Sequence, residues 1–190
     1  PEETPLTRDH RRQWRDCLYV YPVISRRSKG LSIGVNLNPD KRCNFSCMYC
    51  QINRRIRRGL DRVDLAVLRR ELRYALLEAT SGGLWEESRF EKTPEALRRI
   101  NDIAFSGDGE PTCLKNFDEA VAAAANAIQA VRPPEPVKIV VITNASQLRS
   151  PQVRRALPIL DDNNGEIWAK LDAGTQEYFR KVNRPAPGLT

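Results

Sequence analysis

The sequence contains no run of about 18 consecutive apolar residues, the length that a membrane-spanning helix requires. Residues 1–15 are polar and charged, which excludes a secretory signal peptide. We therefore predict a cytoplasmic protein with no membrane-spanning segment. Histidine is almost absent as well: His10 is the only one, and it lies in this charged stretch, where we assign it no role.

Cysteine is scarce, and its distribution is uneven. Of five cysteines, Cys43, Cys47 and Cys50 lie within eight residues, whereas Cys17 and Cys113 are isolated. A secreted disulfide scaffold would spread its cysteines along a small, loop-rich chain. A tight cluster in a cytoplasmic protein indicates a metal site instead.

Positive charge is in excess, with a net charge of +7 that comes mostly from arginine. The arginines cluster at Arg8–Arg15, Arg26–Lys29, Arg54–Arg58 and Arg69–Arg73. The planar guanidinium group binds two phosphate oxygens at once, so RNA or a phosphorylated substrate is a candidate partner. The alternative is an ordinary solvated basic surface, because no RNP, zinc-finger or helix-turn-helix signature accompanies the charge.

Short β-branched runs alternate with helical stretches after residue 30. The pattern predicts strands at Leu31–Leu37, Asp102–Ser106, Val137–Thr143 and Glu166–Leu171. It predicts helices at Arg62–Ala79, Asn116–Val131, Pro151–Leu157 and Gly174–Val182. Residues 81–99 read as an irregular insert. This alternation predicts an α/β fold with a parallel sheet, either doubly wound or a partial or full barrel.

The chain divides into two parts on this reading. Residues 1–30 form a basic N-terminal lead-in, helical around Arg11–Leu18, and residues 31–190 form the α/β core. In either parallel architecture the chemistry lies in the loops at the carboxyl ends of the strands. Special residues follow each predicted strand: the cysteines, Gly107–Glu110, Asn144 and Asp172. We therefore expect a single site at this edge of the sheet.

The cysteine spacing is Cys-x3-Cys-x2-Cys over Cys43, Cys47 and Cys50. Thiolates favour iron–sulfur clusters or zinc. A structural zinc site needs four ligands, so zinc would require Cys17 or Cys113 as the fourth; buried structural cysteines are the other alternative. Three thiolates on a four-iron cluster leave one iron without a protein ligand, and an open position is typical of a catalytic site.

This spacing, with aromatic Tyr49 before the last cysteine, resembles the signature of the radical SAM superfamily. The resemblance implies a (β/α)6 partial barrel and a [4Fe–4S] cluster held by Cys43, Cys47 and Cys50. It also implies reductive cleavage of S-adenosylmethionine to a 5′-deoxyadenosyl radical that modifies a substrate. The backbone near Tyr49 would contact the adenine.

The loop Ser106–Thr112 resembles the glycine-rich stretch that follows the second strand in this family. The resemblance implies that Gly107, Gly109 and Glu110 bind the methionine amino group of the nucleoside. Glycines allow the backbone to approach a ligand closely, and a carboxylate accepts from an ammonium. Asp108 interrupts the glycine pair that the family usually has.

The ends of the last two predicted strands complete the implied nucleoside site. Family members hold the ribose and carboxylate from such positions, which correspond here to Thr143, Asn144, Lys170 and Asp172. Lys170 would pair with the carboxylate and Asp172 would accept from ribose hydroxyls. A helix cap is the alternative for Asp172 because aspartate is favoured at that position.

More narrowly, Tyr21–Val35, Phe105–Thr112 and Trp168–Thr175 resemble a bacterial radical SAM group of unknown substrate, related to wyosine-type transfer RNA modification enzymes. The second cluster of the archaeal wyosine synthases is not supported, since Cys17 is the only cysteine upstream of the motif. The resemblance also implies a low-potential electron donor of the flavodoxin or ferredoxin type.

Two expectations remain open. About four βα units are visible, so we expect a truncated barrel, incomplete at its C-terminal end. The competing function is a non-catalytic, cysteine-rich RNA-binding module that holds zinc or an iron–sulfur cluster.

Overall fold

The computed structural model describes residues 12–53, 59 and 61–189. The strands of this part are β1 (Val20–Ser25), β2 (Gly30–Val35), β3 (Ile100–Phe105), β4 (Lys138–Thr143) and β5 (Gly165–Ala169). Its α-helices are α1 (Leu65–Ser81), α2 (Phe117–Val131), α3 (Pro151–Asp162) and α4 (Gln176–Asn183). None of these helices has both the length and the apolar character that crossing a bilayer requires.

The strands form one sheet in the order β1-β2-β3-β4-β5. β1 pairs with β2 antiparallel, and β2 through β5 are parallel neighbours. The order never reverses, and α1 contacts α2, which contacts α3, so these three helices lie along one face. A doubly wound sheet is thereby excluded. The fold is α/β, a mostly parallel partial barrel that is not closed, as the alternation of elements predicted.

Periodicity predicts the helix ends to within a few residues, and local contacts determine where each helix begins and ends. The Asp64 carboxylate accepts from the amides of Ala66 at 2.9 Å and Val67 at 3.1 Å, so α1 begins three residues later than predicted. It ends at Gly82, which has a φ of 99°. α3 runs past its predicted end at Leu157 because Pro158 lies within the helix instead of ending it.

The N-terminal lead-in is wrong in part, because Val20–Ser25 is a strand of the sheet. Pro22 obscured it, since proline is admitted only to edge strands, and β1 is an edge strand. The helix expected over Arg11–Leu18 is not found either. In the described residues 12–18 the chain makes a turn in which Cys17 N donates to Trp14 O at 3.0 Å.

A buried carboxylate fixes the entry into β1. Glu71 of α1 is 4% exposed and accepts from the amides of Leu18 at 2.8 Å, Tyr19 at 2.8 Å and Val20 at 3.2 Å. These amides precede the first ladder bonds of an edge strand. Glu71 therefore attaches the hairpin to the first helix.

The two faces of the sheet differ in character. Toward the helices, the strands present Leu31, Ile33 and Val35 of β2, all fully buried. The opposite face lines a cavity of about 590 Å3 with mostly small and polar sheet residues, namely Ser25, Ser32, Gly34, Asp102, Ala104 and Ser106, together with Tyr21, Val23, Ile142, Trp168, Arg12, Arg26 and Arg27. An apolar outer face and a polar inner face are typical of a barrel with an internal ligand cavity.

We expect the substitution Glu71→Ala to lower the free energy of unfolding by about 3 kcal/mol or more, because three amides lose a charged acceptor. Urea denaturation gives the measurement, with the exposed Glu135→Ala as the control. A loss no larger than that of the control would contradict the anchoring role of Glu71.

We also expect Asp102→Asn to change how stability depends on pH. Burial raises the pKa of Asp102 above 3.8, while the Ser32 hydroxyl donates to its carboxylate. A raised pKa in the folded state means that this group destabilises the fold as pH rises through that value. The variant should therefore gain stability relative to the parent as the pH rises above about 4 in urea titrations; parallel curves would contradict this.

Candidate functional site

A cavity of about 370 Å3 lies at the carboxyl ends of the parallel strands. Every predicted site residue except Thr143 lines it: Cys43, Cys47, Tyr49, Cys50, Gly107, Gly109, Glu110, Asn144, Lys170 and Asp172. These residues come from the loops after β2, β3, β4 and β5. The expectation that special residues after successive strands meet at one edge is therefore confirmed in geometry, whereas their binding roles stay predictions.

The three thiols line the cavity without converging on a single point. Among the residues that the structure describes, no three cysteine, histidine or carboxylate side chains are placed to hold one metal ion. A tetrahedral zinc site, with Zn–S distances of about 2.3 Å, requires such convergence.

Hydrogen bonds reach two of the cysteine sulfurs. The amide of Phe45 donates to Cys43 Sγ at 3.5 Å, and the side-chain amide of Asn183 donates to Cys47 Sγ at 3.6 Å. Cys50 N donates to Cys47 O at 3.0 Å and closes a turn between the last two cysteines. These contacts therefore help to fix the orientation of the Cys43 and Cys47 side chains.

The glycine loop after β3 packs against the start of the cysteine loop and supports it. Glu110 N donates to Arg42 O at 3.1 Å, one residue before Cys43. A Cβ on Gly109 would lie 1.8 Å from the same carbonyl oxygen, so no other residue fits without displacing the backbone. Gly109 is thus required for packing, whatever it contributes to ligand binding.

The C-terminal segment supports the cysteine loop from the other side. Ser46 N donates to Asn183 O and Arg184 O at 3.1 Å each, and Met48 N donates to Val182 O at 2.9 Å. Farther along, Ala186 N donates to Asn44 O at 2.8 Å. The sequence analysis missed this attachment, and no periodicity or motif in the sequence indicates it.

Glu110 joins the ends of two strands. It is 3% exposed, and its Oε1 accepts from the hydroxyls of Thr112 and Thr143 at 2.6 Å each. Its Oε2 accepts from the amide of Asn144 at 2.7 Å. The predicted contact of Glu110 with an ammonium group stays untested, but these bonds give the carboxylate a positioning role. Thr143 acts through it and lies behind the cavity wall.

Asn144 connects the loop after β4 to the cysteine loop. Its Nδ2 donates to Asn44 Oδ1 at 2.8 Å, and its Oδ1 accepts from Ser146 Oγ at 2.7 Å. Asn44 Nδ2 in turn donates to Ser146 Oγ at 2.7 Å. Asn144 therefore positions the residue next to Cys43 as well as lining the cavity.

Asp172, Tyr49 and Asn183 form a polar cluster beside Cys47. The Tyr49 hydroxyl donates to Asp172, and Asn183 Nδ2 donates to Asp172 Oδ2 at 2.7 Å. Burial raises the pKa of Tyr49, and its bond to Asp172 and the nearby Cys47 add to the effect. Thr175, not Asp172, caps α4: Tyr178 N donates to its hydroxyl at 3.2 Å. The cap alternative for Asp172 is therefore wrong.

The two isolated cysteines stay outside the cavity lining. Burial raises the pKa of Cys113 to about 12, with Glu110 and Cys43 adding to the rise. Burial likewise raises the pKa of Cys17 to about 11, together with the Glu71 carboxylate.

Part of the predicted arginine surface borders the neighbouring cavity of about 590 Å3. Arg12, Arg26 and Arg27 line it, and Arg12 forms an ion pair with Asp108 of the glycine loop. The predicted cluster Arg54–Arg58 and the first half of Arg8–Arg15, with His10, lie outside the described residues.

No family model matches the chain. It is 28% identical over 173 residues to a UPF0026 protein of Methanocaldococcus jannaschii, covering 88% of the chain and 44% of that protein. It is 29% identical over 168 residues to a UPF0026 protein of Helicobacter pylori, covering 86% and 45%. It is 27% identical over 164 residues to the GTPase Obg of Brachyspira hyodysenteriae, covering 86% and 20%. The chain spans about half, or less, of these relatives.

The fold of this chain is similar to the folds of two solved structures. One is BtrN in complex with AdoMet and 2-DOIA, with a TM-score of 0.45 and 23% identity over 80% of this chain and 49% of that chain. The other is TYW1 with a lysine-pyruvate adduct bound, with a TM-score of 0.43 and 16% identity over 84% of this chain and 47% of that chain.

We expect Gly109→Ala to displace the cysteine loop, because the new methyl group would overlap the Arg42 carbonyl. Iron and sulfide retained after anaerobic reconstitution should fall by about ten-fold, as when other supporting residues of metal sites are lost. Gly174→Ala is the matched control, since nothing lies within 4 Å of its Cβ position at the cavity next to this one. Equal retention in both variants would contradict the packing role.

Proposed function

We propose that this chain is the cluster- and nucleoside-binding part of a radical SAM enzyme. Cys43, Cys47 and Cys50 would hold a [4Fe–4S] cluster, and the loops after β3, β4 and β5 would hold S-adenosylmethionine. When bound, such a cluster with an open iron supplies one electron to the sulfonium, which yields methionine and a 5′-deoxyadenosyl radical.

One observation carries the proposal. The three cysteines of the Cys-x3-Cys-x2-Cys motif share a single cavity with residues from the carboxyl ends of three further parallel strands. Parallel α/β folds place their ligands at this edge. A structural metal site has no need of such an opening, whereas a catalytic site needs room for a second molecule beside the metal.

The chain's own residues have distinct tasks in this proposal. Lys170 lines both the cysteine cavity and an adjoining cavity of about 440 Å3, where it would meet a carboxylate. Asp172, already bonded to Tyr49 and Asn183, would accept from ribose hydroxyls. Glu110 and Asn144 keep the strand ends in register with the cysteine loop, so they act mainly as positioning residues.

Partners follow from charge and from the electron requirement. Arg12, Arg26 and Arg27 border the inner cavity, which suits RNA or a phosphorylated substrate. A low-potential donor of the flavodoxin or ferredoxin type would supply the electron. Both assignments, together with a cytoplasmic location, are part of the proposal.

The competing function, a zinc- or cluster-bearing RNA-binding module, lacks a specific observation in its favour. Its zinc form needs a fourth ligand, and neither Cys17 nor Cys113 lines the cysteine cavity.

The proposal is tested by anaerobic reconstitution with iron and sulfide, followed by reduction with dithionite in the presence of S-adenosylmethionine. We expect about four irons per chain, a change in the cluster EPR spectrum on adding S-adenosylmethionine, and formation of 5′-deoxyadenosine. The radical SAM reading fails if the cluster forms and its spectrum is unchanged by S-adenosylmethionine.

Two variants separate the candidates. Cys47→Ala should abolish cluster retention and nucleoside cleavage, because only two motif thiolates remain. Cys113→Ala, the control, should keep both, since this half-buried thiol does not line the cavity although it lies near Cys43. Zinc that binds to the parent and is lost on Cys113→Ala would favour the four-ligand module instead.

A further inference from the structure

Asn183 is a buried residue at the end of α4 that neither the motif nor the proposed function uses. It is 1% exposed, and its Nδ2 lies 2.7 Å from Asp172 Oδ2, 3.6 Å from Cys47 Sγ and 3.5 Å from Tyr49 Oη. Its neighbours are thus a thiol of the metal motif and two residues of the predicted nucleoside site.

The orientation of the Asn183 amide is fixed by its neighbours. An ionised Asp172 can only accept hydrogen bonds, so the NH2 group and not the carbonyl oxygen must face it. The amide carries two protons: one points to Asp172, and the other faces two acceptors, Cys47 Sγ at 3.6 Å and Tyr49 Oη at 3.5 Å. On the other side, Asn183 Oδ1 is buried without a hydrogen-bond partner in the part of the chain described.

We propose that Asn183 is a positioning residue that sets both the orientation of Cys47 and the reduction potential of the cluster bound to it. This inference rests on the proposed function. The side chain bridges the cysteine motif to Asp172, so that movement of the nucleoside-binding loop after β5 is transmitted to a cluster ligand.

The effect on potential has a direct electrostatic cause. An N–H group that donates to a cysteine sulfur stabilises negative charge on the sulfur and on the cluster attached to it. The reduced cluster is more negative than the oxidised one, so the donor favours reduction and raises the potential. Losing the donor should make the one-electron reduction harder.

The side chain can be altered without removing the backbone attachment. Ser46 N donates to the carbonyl oxygen of Asn183 at 3.1 Å, and that bond does not involve the side chain. Asn183→Leu keeps a similar volume and loses both N–H donors. Asn163→Leu is the matched control: Asn163 ends α3, and its Nδ2 donates to Ile159 O at 2.8 Å, away from the cysteine cavity.

The first measurement is an EPR-monitored redox titration of the reconstituted protein. We expect Asn183→Leu to lower the ratio of reduced to oxidised cluster about ten-fold at a fixed potential, which is about 59 mV for a one-electron couple. Asn163→Leu should leave the ratio unchanged. A fully loaded Asn183→Leu variant with the parent's midpoint would overturn the proposal.

A second measurement needs no variant. Parent protein labelled with 15N only at asparagine side-chain amides should show a 15N coupling to the reduced cluster in pulsed EPR. A spectrum without such coupling would overturn the hydrogen bond to Cys47, even if Asn183→Leu fails to fold.

A third measurement separates this inference from the proposed function. In the metal-free chain, the side-chain amide protons of Asn183 should exchange slowly with solvent, and at least about ten-fold faster in Cys47→Ala, which removes one acceptor. Fast exchange in the metal-free parent would overturn the inference. Slow exchange in a chain that forms no cluster would refute the proposed function and support the hydrogen bond.

Discussion

The site depends on a buried carboxylate that holds two strand ends together. Glu110 follows β3, yet its oxygens accept from Thr143 and Asn144 at the end of β4. An isolated charge at 3% exposure would cost several kcal/mol, so the carboxylate is tolerated only because donors surround it. The reverse also holds: the donors would be unsatisfied without Glu110, which makes the arrangement all-or-none.

The division of the sheet into two faces explains how a small α/β chain combines stability with a polar site. Leu31, Ile33 and Val35 pack under the helices, and the intervening Ser32 and Gly34 face the inner cavity. The side chains of β2 therefore alternate: its odd-numbered residues pack into the core and its even-numbered residues face the cavity. The ring of Tyr21 lies over Gly34, and its hydroxyl donates to Ser106 O at 2.9 Å, so the hairpin also forms part of the cavity wall.

Sequence patterns predicted the parallel strands, the four helices and the edge at which the site lies, because these depend on periodicity and on the rule that strand ends share an edge. The patterns missed β1, where Pro22 interrupts the strand signal, and placed a helix over Arg11–Leu18 where charge alone decided the reading. The family resemblance assigned Glu110 and Asn144 to a ligand, which stays a prediction, and the structure adds bonds from both to other protein groups. Hydrogen-bond partners far apart in sequence leave no local pattern, so this part could not be foreseen.

The same reasoning explains why Asn183 escaped notice and why the motif alone does not make a site. The cysteine loop contributes its thiols, but its conformation is imposed from Gly109 on one side and from the backbone of Val182 to Ala186 on the other. Those two supports are separated by more than seventy residues and meet only once the sheet has formed. The loop therefore acquires its shape as a consequence of tertiary folding. Metal loading should consequently be linked to the stability of the whole sheet, since any group that binds only the folded loop also stabilises the strands and the helix that hold it.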